Sequence, residues 1–376
     1  MRSYLAFNKW GPRIFFCGAL FGGVNKIDDL ESMQLAWQQA QQGSGHTWTN
    51  PVVGAVIIKH GRILARGYHH QFGERHAEID VLAHLANVTQ ARGATMVVTL
   101  EPCSHYGKTP PCADRLIAVG IARVVIGQLD PNPVVQGRGV AKLRAAGIPV
   151  TVLNQTGGLN AAYNLFYQQH RPLVTLKVAM SLDGKLNGPT RHRTQLTGPA
   201  AFQDTQQLRA RQQAILIGEH TLRQDNPQLT VRSQHLPVVP WRLVVVDAAD
   251  TLPESLRLFQ TPAPIWLLSK QPTQRDWPPY VHVVAGDWTP IAVRDWAYQH
   301  GVQALLLEGG SRLQADWLAA DLIDRFRVYL TPKVLGGTAL PVAQGPVGTP
   351  LQDFRLTVMR QLGPDACLAY RREKHV

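Results

Sequence analysis

The sequence predicts an α/β protein of two domains, on three observations. Its 376 residues, 45% of them hydrophobic, exceed what one core organises and suit two. Short, continuously apolar runs alternate with stretches of helical periodicity over most of the chain, the pattern of strands buried on both faces beneath helices. No internal repeat or low-complexity segment interrupts that alternation.

Asp28 and Glu31 are spaced for a capping box that starts a helix whose Leu30, Met33, Trp37 and Ala40 recur on one face, and Gly43 ends it. Val52 to Ile58, a Lys-His-Gly-Arg turn at 59–62 and Ile63 to Tyr68 read as a β-hairpin. His76 to Val88 is expected to be helical, Ala94 to Leu100 a buried strand, and Cys112 to Val119 a second helix. Val124 to Gly127, a helix from Gly137 to Ala146 and Val150 to Leu153 complete a first domain over 28–153. A connector at 154–171, helical from Leu159 to His170, leads to a second domain over 172–376 that opens on the apolar strand Pro172 to Met180. There the pattern predicts a helix at 199–212, strands at Ala214 to Gly218, Leu243 to Val246 and near 265 and 282, a helix from Pro290 to Gln299, the strand Ala304 to Leu307 and a helix from Ser311 to Leu322. Glu308-Gly309-Gly310 falls between that last strand and helix, where paired glycines let backbone approach a phosphate, although Gly-Gly is as often a plain turn.

Ahead of the first helix, Arg2, Lys9 and Arg13 precede an apolar run from Ile14 to Val24 that superficially resembles a signal peptide. The run is too short to cross a bilayer, and no small-x-small cleavage site precedes Asp28. Residues 1–27 are therefore expected to be an N-terminal extension, disordered or read from a start codon placed too early. Four cysteines are too few for a disulfide framework, which favours a reducing cytoplasm. The net charge of +12 points to anionic partners. With no Lys/Arg run and no basic-aromatic interleaving, phosphorylated small molecules explain the sign as well as nucleic acid does, and charge alone does not choose. The expectation carried forward is small phosphorylated ligands, without nucleic acid or membrane.

The chemistry concentrates in His76-Ala77-Glu78, Pro102-Cys103 and Cys112. One imidazole and two thiolates fill three places around a zinc ion and leave the fourth to water, whose pKa the metal lowers. Glu78, two residues beyond the imidazole, is placed to move the proton. The H-x-E then P-C pattern marks hydrolytic deaminases of amino-substituted bases, although their second cysteine normally follows three residues after the first, and here it follows nine. His76 and Glu78 fall in the first turn of one helix and Cys112 at the start of another, whose positive end favours a thiolate. A closed structural zinc site would need a fourth ligand, for which His105 is the only nearby candidate, and would leave Glu78 without a purpose.

Over almost the whole chain from Asp28 onward, these motifs resemble the family of bifunctional riboflavin-biosynthesis deaminase-reductases. The resemblance is carried by Asn50-Pro51-Val52-Val53-Gly54, Gly67-Tyr68-His69, His76-Ala77-Glu78, the stretch Thr99 to Cys112 (TLEPCSHYGKTPPC), Asp130-Pro131-Asn132-Pro133, Ser181-Leu182-Asp183-Gly184 and Glu308-Gly309-Gly310. It implies a cytidine-deaminase-like three-layer α/β/α domain followed by a dihydrofolate-reductase-like α/β domain. The first would hydrolytically deaminate a diaminopyrimidinone bearing a ribosylamino 5′-phosphate. The second would reduce the ribosyl group to ribityl with NADPH. The family also suggests dimers or tetramers.

By the same resemblance, Asn50, His69, His105 and Lys108 hold the pyrimidine and its phosphate. In the second domain Arg209 and Arg232 grip the substrate phosphate, Asp225 and Glu308 orient ribose hydroxyls, and Leu229 completes the substrate wall. Lys177, Ala179, Ser181, Asp183, Gln195 and Thr221, with the backbone through Gly310, Ser311, Arg312 and Leu313, face NADPH. Four positions depart from the family pattern: Gln195 in place of a tryptophan, Arg193 in place of a small hydroxyl residue, Asn226 in place of an acid and Ala248 in place of a hydroxyl residue. They bear on cofactor contacts more than on the fold. A single-activity nucleoside or tRNA deaminase with an accessory second domain is the rival enzyme reading, and the nine-residue loop argues against it. A non-catalytic zinc module binding nucleic acid is the rival from another class, and it predicts that Glu78 is dispensable.

Overall fold

The computed structural model describes residues 27–106, 110–188, 194–233, 235–345 and 351–373. Residues 1–26 of the expected N-terminal extension, with Cys17, and the expected positions Lys108 and Arg193 lie outside the described residues.

The first half contains α1 (Asp29–Gln41), β1 (Gly54–Lys59), β2 (Arg62–Tyr68), α2 (Ala77–Ala83), β3 (Thr95–Leu100), α3 (Cys112–Ala118), β4 (Arg123–Gln128), α4 (Arg138–Ala145) and β5 (Val150–Val152). Its sheet runs in the order β2-β1-β3-β4-β5, with β3, β4 and β5 parallel and β1 antiparallel to both its neighbours, β2 and β3. Successive side chains of a strand point to opposite faces. Thus Val56, Ile58, Val97 and Val125 pack with Met33 and Ala36 of α1, while Ala55, Ile57, Met96, Val98 and Ile126 join the residues of α2, α3 and α4 on the other face. Helices on both faces make three layers, which is why these strands read as unbroken apolar runs.

The capping box of α1 is present: Asp28 accepts from the Glu31 amide and Glu31 from the Asp28 amide, at 2.7 and 3.1 Å. Leu30, expected on the buried face, is exposed instead. The first turn points Ser32 inward, its hydroxyl donating to the Asp28 carbonyl, and the buried stripe begins at Met33. The helix expected over 76–88 ends at Ala83. Asn87 then accepts from the Thr89 amide, a local bond that starts a 3-10 turn at Val88–Ala91 rather than continuing the helix.

α5 (Ala161–Gln169) connects to a second unit: β6 (Leu173–Met180), β7 (Lys185–Asn187), α6 (Pro199–Ala210), β8 (Ala214–Gly218), α7 (Glu219–Asp225), β9 (Trp241–Val246), β10 (Ile265–Ser269), β11 (Val281–Ala285), α8 (Pro290–Gln299), β12 (Ala304–Leu307), α9 (Ser311–Ala319), β13 (Arg325–Leu330), β14 (Leu340–Pro341), β15 (Phe354–Leu362) and β16 (Asp365–Arg372). A nine-stranded sheet runs β11-β10-β9-β8-β12-β6-β13-β16-β15. It is parallel from β11 to β13 and closes with the antiparallel β15–β16 hairpin. α8 and α9 contribute Trp296 and Trp317 to the core on one face, while Leu222 of α7 and Leu229 pack into the core on the other. No helix among the described residues is long and apolar enough to cross a membrane.

Candidate active sites

The first site is built where β3 ends and α2 and α3 begin. His76 is the N-cap of α2, so its ring projects from the helix start while Glu78 sits in the first turn. α2 lies against β2 because residue 67 is glycine: a Cβ there would stand 2.5 Å from the Val81 nitrogen. Cys103 follows β3, and Cys112 is the first residue of α3, its amide donating to the Cys103 sulfur at 3.3 Å. The His76 Nδ1 lies 3.6 Å from the Cys103 Sγ and 3.4 Å from the Cys112 Sγ. Zinc bonds of ~2.3 Å to sulfur and ~2.0 Å to nitrogen set tetrahedral N···S edges near ~3.6 Å, so the three donors already stand at ligand separation. Neither cysteine is in a disulfide, and no other such group of donors occurs among the described residues.

The electrostatics fit a cation. The Cys112 thiol and then the imidazole hydrogen-bond to Cys103 and bring its thiol down to about 4, against the cost of burial. Its sulfur pushes His76 up to about 9. Burial pushes Glu78 up to about 7, with His76 opposing the rise. A divalent ion takes over the role that the imidazolium proton plays in balancing the thiolate.

A cavity of about 210 Å³ opens on these groups, lined also by Asn50, His69, His105, Asp130, Asn132 and Tyr163. The His69 Nδ1 lies 2.9 Å from the Arg75 carbonyl, which can only accept, so that nitrogen carries the proton and Nε2 accepts from the Asn50 amide at 3.2 Å. Burial lowers the His69 pKa and keeps the ring neutral. Asp130, whose carboxyl burial raises, accepts the Tyr163 hydroxyl at 2.9 Å and the Asn132 amide at 2.9 Å. Glu101 also lines the cavity, and its carboxylate accepts the amides of Asp130, Gly137 and Val140, fixing the Asp130 loop and the start of α4.

A second cleft of about 450 Å³ lies at the C-terminal edge of β6, β8 and β12, where parallel α/β sheets bind ligands. Lys177, Ala179, Gln195, Thr221, Asp225, Glu308 and Gly310 line it. Gly310 is the N-cap of α9, and a Cβ there would meet the Thr221 hydroxyl at 2.8 Å, so glycine lets α9 start close against Thr221.

The cleft matches the family "RibD C-terminal domain", found over residues 172–368, and the first site matches "Cytidine and deoxycytidylate deaminase zinc-binding region", found over 26–128. Riboflavin biosynthesis protein RibD of Escherichia coli (strain K12) is 36% identical over 364 residues, covering 91% of this chain and 99% of that protein. The Bacillus amyloliquefaciens RibD is 36% identical over 349 residues, covering 89% and 93%. Among solved structures, Acinetobacter baumannii RibD (form 1) superposes with a TM-score of 0.83 at 31% identity, covering 94% of this chain and 100% of that one. A Thermotoga maritima diaminohydroxyphosphoribosylaminopyrimidine deaminase/5-amino-6-(5-phosphoribosylamino)uracil reductase superposes at 0.81 with 31% identity, covering 92% and 98%. The chain belongs to the RibD family.

Not every residue expected from RibD relatives reaches the cleft. Arg209 stands behind Glu308 in a two-pronged pair, Nε to Oε1 at 2.8 Å and Nη2 to Oε2 at 2.7 Å, and its Nη1 donates to the Thr230 carbonyl at 3.2 Å. The fork expected to grip a substrate phosphate is engaged by a buried carboxylate. Arg232 is exposed, its guanidinium 5.3 Å from the Phe202 ring centroid and bonded to Gln228. Leu229 is buried in the core.

Ser181, Asp183 and Ser311 hold structure rather than face the cavity. Asp183 accepts from Ser181 at 2.6 Å and from the Leu335 and Gly336 amides at 3.1 and 2.7 Å, and Ser311 donates to the Pro341 carbonyl at 2.6 Å. Together they tie down a strap at 331–345 whose Thr338, Leu340, Pro341 and Gln344 form one wall of the cleft. Arg312 is exposed and Leu313 packs on the core.

Of the departures, Gln195 bonds to Thr197 while its carbonyl receives Lys333, and Asn226 has a local reason: it ends α7 at φ 41°, which asparagine tolerates, and accepts the Arg257 amide. Nothing in the structure explains Ala248. Residue-by-residue reading passed over Asn187, His220, Gln314 and the strap, which line the cleft, and Tyr163, which enters the deaminase cavity from the connecting helix. The Asp130-Pro131-Asn132-Pro133 motif was the signal for Asp130 and Asn132.

Proposed function

We propose that this chain carries out two successive steps of riboflavin biosynthesis on one phosphorylated pyrimidine, with domain boundaries at 153/154 and 171/172. In the first, water replaces the exocyclic amine of a diaminopyrimidinone bearing a ribosylamino 5′-phosphate: a C–O bond forms, the C–N bond breaks, and ammonia leaves. In the second, the ribosyl group takes up hydride and a proton and becomes ribityl. The observation that carries the reading is the His76, Cys103 and Cys112 cluster beside a cavity lined by His76, Glu78 and Cys103, in a chain alike over nine-tenths of its length to proteins of that name.

His76, Cys103 and Cys112 would hold zinc, which lowers the pKa of a water in its fourth position. Glu78, buried in the first turn of α2 two residues beyond His76, would accept the proton of the attacking water and return it to the departing amine. Asn50, His69 and His105 orient the ring, with His69 fixed in one tautomer by Arg75, and Lys108 is assigned to the phosphate. In the cleft, Lys177, Thr221, Asp225, Glu308 and Gly310 would receive NADPH and the ribosyl phosphate, and NADPH supplies the hydride.

The thiolate ligands require a reducing compartment, which supports a cytoplasmic location. Self-association into dimers or tetramers follows from the family likeness, and light scattering tests it. The deciding experiment follows ammonia and NADPH together on the purified chain with zinc measured in the same sample. Chelation is expected to stop ammonia release and to leave NADPH oxidation on the deaminated intermediate. Ammonia release from a metal-free chain would overturn the reading.

A further inference from the structure

The sheet that carries the reductase cleft also reaches the deaminase site. Gln213 and Gln303 stand just ahead of β8 and β12, at the ends opposite the cleft, and are buried to 7% and 5% exposure. The Gln213 side-chain amide donates to the Trp48 carbonyl at 2.6 Å, and that of Gln303 to the Thr49 carbonyl at 3.0 Å. The Gln213 Oε1 accepts the Ala304 amide at 2.7 Å, which holds the two glutamines side by side.

Those two carbonyls belong to the turn that presents Asn50. The Asn50 amide nitrogen closes the turn on the Thr47 carbonyl at 2.9 Å. Trp48 sits at φ 54°, a left-handed conformation that a bulky side chain keeps only when its surroundings hold it. On the far side, Asn160 of the connector brackets Val52 with two bonds, at 2.8 and 2.9 Å. The side chain of Asn50 then reaches His69 inside the deaminase cavity.

We infer that Gln213 and Gln303 are positioning residues of the deaminase reaction, supplied by the reductase domain: they fix the 47–52 turn so that Asn50 meets the pyrimidine. The inference rests on the reading of Asn50 as a substrate contact. β8 and β12 are short, and at ~3.3 Å per residue the glutamines lie roughly 15 Å from the reductase cleft, so changing them leaves hydride transfer alone.

Glutamate is the probe, because it still accepts the Ala304 amide at position 213 but, when ionised, cannot donate to a carbonyl, so the assays run above neutral pH. For Gln213→Glu and Gln303→Glu in the full zinc-loaded chain, KM of deamination is expected to rise about tenfold per lost bond, with kcat within about twofold. Zinc content and NADPH oxidation on supplied deaminated product are expected to stay at the parent level. In an Asn50→Ala background the same changes are expected to add less than about twofold, since residues acting through one another are not additive. Gln303→Met, which removes a single donor, makes the same comparison should Gln213→Glu not fold. If Asn50→Ala leaves KM unchanged, the reading of Asn50 fails and takes the inference with it. If Asn50→Ala raises KM while the glutamate changes are silent, add fully, or lower kcat and zinc content together, the inference alone is overturned.

Discussion

Removing the Glu308 carboxylate is expected to cost the reductase domain more in stability than any other single change at the cleft. Arg209 and Glu308 are 12% and 6% exposed, and both carboxylate oxygens accept from the guanidinium at 2.7 to 2.8 Å. Burial works against the charge on Arg209, and Glu308 more than restores it, holding the arginine above its usual range. Arginine does not shed its proton when the partner goes, so Glu308→Ala leaves a buried, unmatched cation. Breaking one side of such a pair costs ~3–5 kcal/mol, and a domain of this size loses ~2–4 °C per kcal/mol, giving a fall in Tm of about 6–20 °C. Scanning calorimetry on the full chain reads that fall directly. Glu308→Gln, keeping one acceptor oxygen, is expected to fall between. Arg209→Met with Glu308→Leu is expected to return close to parent stability, since apolar replacement of a buried pair is often neutral. A Tm for Glu308→Ala within about 3 °C of the parent, equivalent to ~1 kcal/mol, would refute the reasoning.

Other changes separate the two activities. Glu78→Gln keeps the size of the side chain and loses the proton carrier, so ammonia release is expected to fall by ~10²–10⁴ with zinc retained; undiminished turnover would show that the proton travels another way. Lys333 donates to the carbonyls of Gln195 at 2.6 Å and Leu196 at 2.8 Å, so Lys333→Met is expected to raise KM for NADPH roughly tenfold while deamination is unchanged, and equal effects on both activities would count against that assignment. Asp183 is held down to about 2 by Ser181 and the Gly336 and Leu335 amides. A carboxyl whose folded pKa lies below its unfolded ~3.9 contributes above that value and loses its contribution as pH falls through the folded one. Protection of the 331–345 strap amides, taken relative to intrinsic exchange at each pH, is therefore expected to fall between about pH 4 and 2 in the parent and to be low already at neutral pH in Asp183→Asn.

The His76, Cys103 and Cys112 cluster was legible because His76 and Cys112 stand at helix starts and Cys103 just past the end of β3, where short motifs carry both the donor and the local geometry that presents it. The parallel strands were legible because helices cover both faces, leaving runs such as Ala304 to Leu307 wholly apolar. The C-terminal edge was not. β15 is solvent-exposed for most of its length, its Arg355, Thr357 and Arg360 carry no inward alternation, and it exists because β16 pairs with it, not because of its own pattern. α7, at seven residues, is too short for a periodicity to declare itself. The pairing of Arg209 with Glu308 spans 99 residues and that of Gln303 with Thr49 spans 254. No local pattern encodes either one.

The same difference separates the two sites in how tightly a side chain's surroundings are tied to its motif. Around the metal, a side chain's identity and its task are the same thing: a thiolate three to four ångströms from an imidazole has little else to do. In the reductase cleft the fold needs charged groups for itself. Arg209 neutralises a buried carboxylate, and Asp183 ties a strap to a turn by accepting backbone amides. Each still shapes the ligand site, but through Glu308 and the 331–345 wall. A substitution at Arg209 or Asp183 is therefore expected to move the lining of the cleft through Glu308 or through the 331–345 wall, a consequence that follows from the fold's long-range hydrogen bonds and that no sequence motif carries.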